Sequence, residues 1–353
     1  MRARAPLRNL LPIILAVGLG IGLSRSGFSE PVPPAADLAE LSAAIEGLAS
    51  RVADATVTLH VTVAGEQGSV MSGEGSGFVV DAFAGIVITN AHVVKDAKTV
   101  TVVFYDRREE IGKVVGVDRQ TDLAVVKIAP GAARRQLSWG DSDRLRPGSL
   151  VLAVGSPLQL NGTTSLGVVS ALHRKLNPSA DTYEDYVQFD AFIDRGSSGG
   201  PLVDMAGEVI GINTAIGASG GSTTWSGISY AVPSAIARRF CEDLAELGRV
   251  RRGWLGIRVD RVSADLAKNL GMERPHGAVL RWVDPAGPAQ AAGLRPNDVL
   301  LSLDGVEIAD SGHVRARVAA LPPGQEVKFR VLQGGKVIVI TAVIGELAEQ
   351  KDI

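Results

Sequence analysis

Hydrophobic positions change their spacing several times along the chain, and each change marks an element. After Arg2, Arg4 and Arg8 comes an uncharged apolar run from Leu10 to Leu23, closed by Ser24-Arg25-Ser26. This is the layout of a secretory signal or a short signal-anchor whose positive flank stays in the cytoplasm. The run is short for a spanning helix, but no Ala-x-Ala cleavage site follows it, so an uncleaved anchor is the favoured reading. Residues 29–40, with Pro31, Pro33 and Pro34, read as a linker. Leu38, Leu41, Ile45 and Leu48 then recur at spacings of three and four, which predicts a helix.

From Thr56 to about Tyr230 the period shortens. Strand-like runs are predicted at Thr56–Val63, Gly77–Val80, Ile86–Thr89, Thr99–Tyr105, Leu123–Ile128, Leu150–Val154, Gly167–Ala171 and Glu208–Thr214, with Gly, Asp and Asn in the turns. No long helices alternate with them, so antiparallel barrels are favoured over a parallel α/β sheet. Pro233–Leu247 reads as an amphipathic helix, with Ile236, Phe240, Leu244 and Leu247 on one side, ending at Gly248. The basic cluster Arg249, Arg251 and Arg252 marks a domain boundary. Beyond it, Gly253 to about Glu346 has the length of one small module, in which Asp304-Gly305 is a tight-hairpin signal between Val299–Leu303 and Val306–Ile308.

Composition narrows this picture. A chain of 353 residues suggests two folded units plus tails. Gly is abundant at 41 and aromatics scarce at 5%, which suits short strands joined by tight turns. A net charge of −2 gives no electrostatic reason to expect nucleic acid as a partner. Cys241 is the only cysteine, so no intramolecular disulfide can form, and no Cys/His cluster in the sequence suggests a metal. No cofactor is expected.

Candidate chemistry centres on Ser198 in Gly196-Ser197-Ser198-Gly199-Gly200-Pro201. Acyl transfer by a serine needs a base, a group that orients the base, and donors for the oxyanion. Glycines around Ser198 free the backbone to aim the N–H groups of Gly196 and Ser198 at one oxygen. A glycine-rich surface turn would look the same, so the other partners decide. His92 follows the apolar strand Ile86-Val87-Ile88-Thr89, where a loop can present it. His60, His276 and His313 are weaker candidates, and His173 lies beside Arg174 and Lys175, whose charges would depress its basicity. Asp122 immediately precedes Leu123-Ala124-Val125-Val126, a position for a partly buried carboxylate that accepts from an imidazole N–H. The order His, Asp, Ser is that of the chymotrypsin-type triad.

These strings resemble the HtrA family of exported serine proteases over roughly residues 40–346. The matching segments are Gly75-Ser76-Gly77-Phe78-Val79, Thr89-Asn90-Ala91-His92-Val93-Val94, Thr121-Asp122-Leu123-Ala124-Val125, Gly196–Val203, Glu208–Thr214 and Gly227–Ser234. The resemblance implies a mainly β fold: a chymotrypsin-like double β-barrel with the site between the barrels, followed by an α+β PDZ domain. It also implies cleavage after small aliphatic residues in unfolded chains, with Ile193 and Ile212 contributing to the pocket. The C-terminal module resembles the family's PDZ domain through Gly253-Trp254-Leu255-Gly256-Ile257, Asp284–Ala289 and Ala292–Leu300. By that resemblance Trp254, Leu255, Gly256 and Ile257 form the loop that holds the carboxylate of an extended C-terminal peptide. Val314, Val318 and Leu321 would flank the groove, and Arg251 or Arg252 could add charge near the carboxylate.

The chain departs from the family in having Ser197 where Asn is usual, and in lacking any Phe, Tyr or Trp between Phe28 and Phe78 to glue the family's homotrimer. The polar stretch 175–185 occupies the place of a loop that relays PDZ occupancy to the oxyanion turn. The expected order is therefore signal or anchor 1–28, linker 29–40, protease domain 41–248 and PDZ domain 253–346. One PDZ domain, an anchor and a short link between the first two strands give a DegS-like arrangement. The implied protein is periplasmic, held at the inner membrane, and a regulated endopeptidase of envelope quality control or stress response. The competing reading is a catalytically degenerate protease whose PDZ domain scaffolds partners.

Overall fold

Runs of β-branched residues separated by glycine turns build the first barrel of the computed structural model, which describes residues 35–64, 70–156, 162–176, 183–216 and 226–348. The expected signal or anchor at 1–28 lies outside the described residues, as does 177–182 of the expected relay loop. Among the described residues no helix is long and apolar enough to cross a membrane. Helix α1 (Ala35–Ala53) starts inside the stretch read as linker. Its second half buries Leu48 and Val52, whereas Leu38 and Leu41 are exposed.

Strands β1 (Thr56–Ala64), β2 (Val70–Asp81), β3 (Ile86–Thr89), β4 (Thr99–Phe104), β5 (Glu109–Asp118) and β6 (Leu123–Lys127) close a barrel in the order β1-β2-β3-β6-β5-β4. Strands β7 (Leu150–Gly155), β8 (Thr163–Arg174), β9 (Tyr186–Phe189), β10 (Pro201–Val203), β11 (Val209–Ile216) and β12 (Ser229–Pro233) close a second, in the order β10-β11-β12-β9-β8-β7. The double barrel expected from the sequence is present. Helix α2 (Ser234–Leu247) follows and ends at Gly248, whose φ of 73° gives a left-handed cap, with its N–H on the Leu244 carbonyl.

The C-terminal module contains β13 (Gly253–Trp254), β14 (Ile257–Arg261), α3 (Ala264–Asn269), β15 (Ala278–Val283), α4 (Pro288–Ala291), β16 (Val299–Leu303), β17 (Val306–Glu307), α5 (Ser311–Ala320), β18 (Glu326–Gln333), β19 (Lys336–Val343) and β20 (Gly345–Glu346). Its main sheet runs β14-β15-β16-β18-β19. Asp304 and Gly305, with φ of 47° and 85°, make the tight turn that pairs Leu303 with Val306. The described residues from Ala43 onward form one compact unit. One apolar core runs through it: Leu48, Val52, Phe78, Ile212, Phe240 and Leu244 pack together with Ala316 and Ala319 of α5.

Candidate active site

Strand pairing brings His92 and Asp122 together. Thr89 at the end of β3 lies opposite Ala124 at the start of β6, so the loop after one strand and the turn before the other share an end of the barrel. Asp122 has a φ of 59°, unusual for a residue with a side chain. Its carbonyl holds that conformation by accepting from the Ala91 N–H at 3.1 Å and from Asn90 Nδ2 at 2.8 Å. The carboxylate then faces the histidine twice, with Oδ1 on the His92 backbone N–H at 2.9 Å and Oδ2 on Nδ1 at 2.7 Å. Holding Nδ1 as the donor leaves Nε2 as the basic nitrogen. The His92 side chain is 49% exposed and can be reached by a substrate.

Thr214, near the end of β11, ties Ser198 to this pair. Its Oγ1 donates to Asp122 Oδ2 at 2.6 Å, and its carbonyl accepts from Ser198 Oγ at 3.3 Å. Among the described residues that is the hydrogen bond the Ser198 hydroxyl makes; none joins it to His92. The turn beneath Ser198 uses left-handed glycines, with φ of 95° at Gly196 and 87° at Gly199. Gly199 has no room for a side chain, since a Cβ would lie 2.2 Å from the Ser76 carbonyl oxygen. Among the described residues the N–H groups of Gly196 and Ser198 donate to no protein acceptor, although their neighbours Ser197, Gly199 and Gly200 all do. Two such donors flanking one position can receive developing negative charge. Ser197 is buried, and its Oγ accepts from the Asp194 N–H at 3.3 Å.

Ile193 packs in the core of the second barrel and Ile212 in the core between the barrels; Ile212 presents no accessible surface and Ile193 very little. In the C-terminal module Leu255 is buried and Gly256 has a φ of 74°. The Leu255 carbonyl accepts from Ala289 N–H at 2.9 Å and the Gly256 carbonyl from Asp284 N–H at 2.8 Å. Both carbonyls thus turn inward, and among the described residues the N–H groups of Leu255 and Gly256 have no protein acceptor. Trp254 closes β13 on one side of this loop and Ile257 opens β14 on the other, beside α5.

Arg252 is not available to a peptide carboxylate, whereas the Arg251 side chain stays 41% exposed. Arg252 donates to Asp118 at 2.6 Å with both side chains almost buried, and its guanidinium lies 4.8 Å from the Tyr183 ring centre. Arg251 is drawn to Asp243, which accepts from its backbone N–H at 2.9 Å. His173 also departs from expectation. Burial opposes its charge, but the hydrogen bond to Asp185 at 3.0 Å and the charges of Asp185, Asp310 and Asp143 outweigh that and hold it above its ordinary value. Its neighbours in sequence matter less than residues brought to it by the fold.

Folding also assembles a histidine cluster that sequence spacing hides. His173, Asp185 and His313 bring possible ligand atoms within 4.8 Å of one another. Two features oppose a metal there. The rings stack at 3.8 Å rather than converging edge-on, and His313 Nδ1 accepts the Ala309 N–H at 3.1 Å, which places the neutral ring's proton on Nε2.

Thr214 and Ser76 were not legible as site residues. The only hint at Thr214 is a polar residue closing an apolar strand, and at Ser76 a hydroxyl between two glycines.

Comparison with known proteins agrees with the double barrel followed by a C-terminal module. Residues 75–212 match a trypsin-like peptidase domain and residues 253–343 a PDZ domain. The chain is 40% identical over 273 residues to a "Probable periplasmic serine protease do/HhoA-like" of Haemophilus influenzae, covering 77% of this chain and 58% of that relative. It is 34% identical over 355 residues to the "Periplasmic pH-dependent serine endoprotease DegQ" of Escherichia coli, covering 95% and 77%. The chain thus spans little more than half the length of the curated relatives first matched. Among solved structures, "HtrA-type protease AlgW with tripeptide" is similar at a TM-score of 0.66 and 38% identity, covering 86% of this chain and 97% of that one. The decapeptide form of AlgW gives 0.62 and 35%, covering 86% and 99%. With a trypsin-like domain, a PDZ domain, a DegQ relative matched over 77% of its length and AlgW structures matched over nearly all of theirs, this chain belongs to the HtrA-type family of serine proteases.

Proposed function

We propose that the chain is an exported, ATP-independent serine endopeptidase with Ser198 as nucleophile, His92 as general base and Asp122 as the group that orients it. The observation that carries this reading is the Asp122 carboxylate, which accepts from both His92 N–H groups and from Thr214. Ser198 Oγ attacks the scissile carbonyl carbon while its proton passes to His92 Nε2. The N–H groups of Gly196 and Ser198 stabilise the oxyanion. As the intermediate collapses, His92 returns the proton to the leaving amine, and water repeats the sequence on the acyl-enzyme. Before attack the hydroxyl must leave the Thr214 carbonyl for His92, so the arrangement is a resting one.

Substrates in this reading are unfolded or signalling proteins, cleaved after small aliphatic residues; Ile193 and Ile212 stiffen the pocket wall from behind. The free N–H groups at Leu255 and Gly256 suit the carboxylate of a C-terminal peptide, with Trp254 and Ile257 bordering it. The described ends of the 175–185 loop lie close to α5. Lys175 lies where a Gly312 side chain would be, 1.7 Å from the position of its Cβ, and Arg315 sits 5.3 Å from the Tyr183 ring centre. That proximity supports a relay from PDZ occupancy to the oxyanion turn. Periplasmic export is supported by the names of the relatives and by the Arg2–Leu23 pattern. Anchoring to the inner membrane by that segment and a homotrimer complete the proposal.

Purified protein and its Ser198→Ala variant are compared on unfolded casein and with a fluorophosphonate probe. Cleavage and labelling by the first and neither by the second are expected. Wild-type protein that neither cleaves nor labels, with C-terminal peptides added, would leave only the scaffold reading.

A further inference from the structure

Ser76 lies in β2 with no exposed surface, and each of its hydrogen-bonding groups is committed near the catalytic centre. Its N–H donates to the Ser198 carbonyl at 2.8 Å. Its carbonyl accepts from Thr89 Oγ1 at 2.7 Å, at the root of the loop that carries His92. Its hydroxyl donates to the Gly196 carbonyl at 2.5 Å. The direction of this last bond is fixed, because a carbonyl oxygen can only accept; the same Oγ accepts from the Ser156 N–H at 2.8 Å. Ser156 Oγ in turn accepts from Thr58 Oγ1 at 2.6 Å. Thr58 belongs to β1, and Ser156 follows β7. A buried hydrogen-bonded file of Thr58, Ser156, through its hydroxyl and its backbone N–H, and Ser76 therefore links the two barrels and ends on the turn below Ser198.

The Gly196 carbonyl is one end of the peptide unit whose other end, the Ser197 N–H, donates to the Asp194 carbonyl at 2.9 Å. That peptide lies between the two N–H groups that have no protein acceptor. Its tilt sets the backbone torsions on both sides and hence where those N–H groups point. Gly196 alone would not fix the tilt, since a glycine at φ 95° tolerates a reversed peptide. Close packing adds a second restraint: a Cβ on Gly155 would lie 2.9 Å from Ser197 Cα and 3.2 Å from Ser76 Oγ.

We propose that Ser76 is a positioning residue for the oxyanion hole: its hydroxyl pins the Gly196–Ser197 peptide and its N–H pins the Ser198 carbonyl, so that the N–H groups of Gly196 and Ser198 face one point. The proposal rests on the acyl-transfer reading above. The Ser76 side chain touches no substrate and acts only through the turn.

The test uses the full chain, a fluorogenic peptide with valine before the scissile bond, a peptide boronic acid of the same sequence, and the product peptide. The boronate binds Ser198 as a tetrahedral anion that fills the hole; the product peptide reports ordinary binding. Ser76→Ala is expected to lower kcat about 100-fold, the size of losing one oxyanion donor, with KM within about twofold of wild type. Boronate affinity falls in step with kcat, while product affinity stays level. Unchanged kcat and boronate affinity would overturn the proposal, and so would equal losses for boronate and product, which would mean general loosening. If Ser76→Ala does not fold, Ser76→Cys carries the same comparison with a weaker donor of similar shape, its boronate affinity falling by less. A Ser198→Ala control that still turns over the substrate would overturn the acyl-transfer reading itself, whatever Ser76 does.

Discussion

His313 of α5 stacks on His173 of β8, ring centres 3.8 Å apart and planes 24° from parallel, across the seam between the PDZ domain and the second barrel. The two rings respond to acid with opposite sign. Burial pushes His313 down to about 4, and its Nδ1 is engaged by the Ala309 N–H. Its neutral form is favoured in the fold, so its contribution is complete above pH 6.5 and is lost as pH falls from 6.5 towards 4. His173, raised by Asp185, contributes below pH 6.5 and loses that contribution as pH rises through its folded value.

The larger displacement is that of His313, on the order of 3 kcal/mol, so acid should weaken the seam. Thermal melts between pH 7 and pH 4.5 are expected to show a steeper fall for wild type than for His313→Gln. Parallel slopes would show that His313 does not govern the acid limb.

Asp122→Asn keeps the size of the side chain but replaces an acceptor that His92 uses through two N–H groups. The imidazole loses the partner that fixes its tautomer, and kcat should drop about ten-thousandfold. Thr214→Val removes one hydrogen bond to the same carboxylate and should cost far less, about tenfold. Initial-rate kinetics on the valine peptide measure both.

Arg252→Ala strands the nearly buried Asp118 with Thr121 as its remaining side-chain partner. Breaking such a pair should cost about 3 kcal/mol in urea unfolding. The double variant Arg252→Ala/Asp118→Ala should lose less than the sum of its single variants, because no buried carboxylate is left unpaired. Strict additivity would argue that the two side chains are not coupled.

Gly116 and Gly73 should respond differently to alanine. A Cβ at Gly116 would meet the Leu244 carbonyl oxygen at 2.7 Å, whereas nothing lies within 4 Å of one at Gly73. Gly116→Ala is expected to lower stability by about 2 kcal/mol and Gly73→Ala by less than about 0.5 kcal/mol, read from denaturant midpoints.

Burial raises the Cys241 thiol well above its usual range. Native protein should therefore ignore a thiol reagent such as Ellman's, and guanidinium-unfolded protein should react in full.

His92 and Asp122 were legible as candidates because each borders an apolar run, where a change of period is visible, and Ser198 because glycines surround it. The strand β5 was not, and its burial explains why. Gly112 and Gly116 occupy close-packed positions, against Val126 and Leu244, while Ile111 and Val117 face outward. The hydrophobic alternation is thus inverted, and composition suggests a loop. Strand β9, Tyr186–Phe189, is short and has a polar Gln188 among its apolar residues, unlike the continuous apolar start of the equally short β3. Thr214, Ser76 and the His173–His313 stack depend on residues 92, 120 and 140 positions apart in the chain, as the pairs Thr214–Asp122, Ser76–Gly196 and His173–His313 show. Local pattern carries no trace of such pairings. The suggestion that Arg252 could add charge near a peptide carboxylate missed Asp118 for the same reason, since that acid lies 134 positions away in the chain.

The alanines of α5 fill the same apolar core as Phe240 and Leu244 of α2. The PDZ domain is therefore a wall of the protease as well as its neighbour. Cutting the chain between Gly248 and Gly253 would leave an oily stripe on α2 in water, so a truncated protein is liable to self-association for reasons unrelated to peptide signalling. The proposed regulation is better tested by blocking the Leu255–Gly256 loop in the intact chain than by removing the domain that carries it.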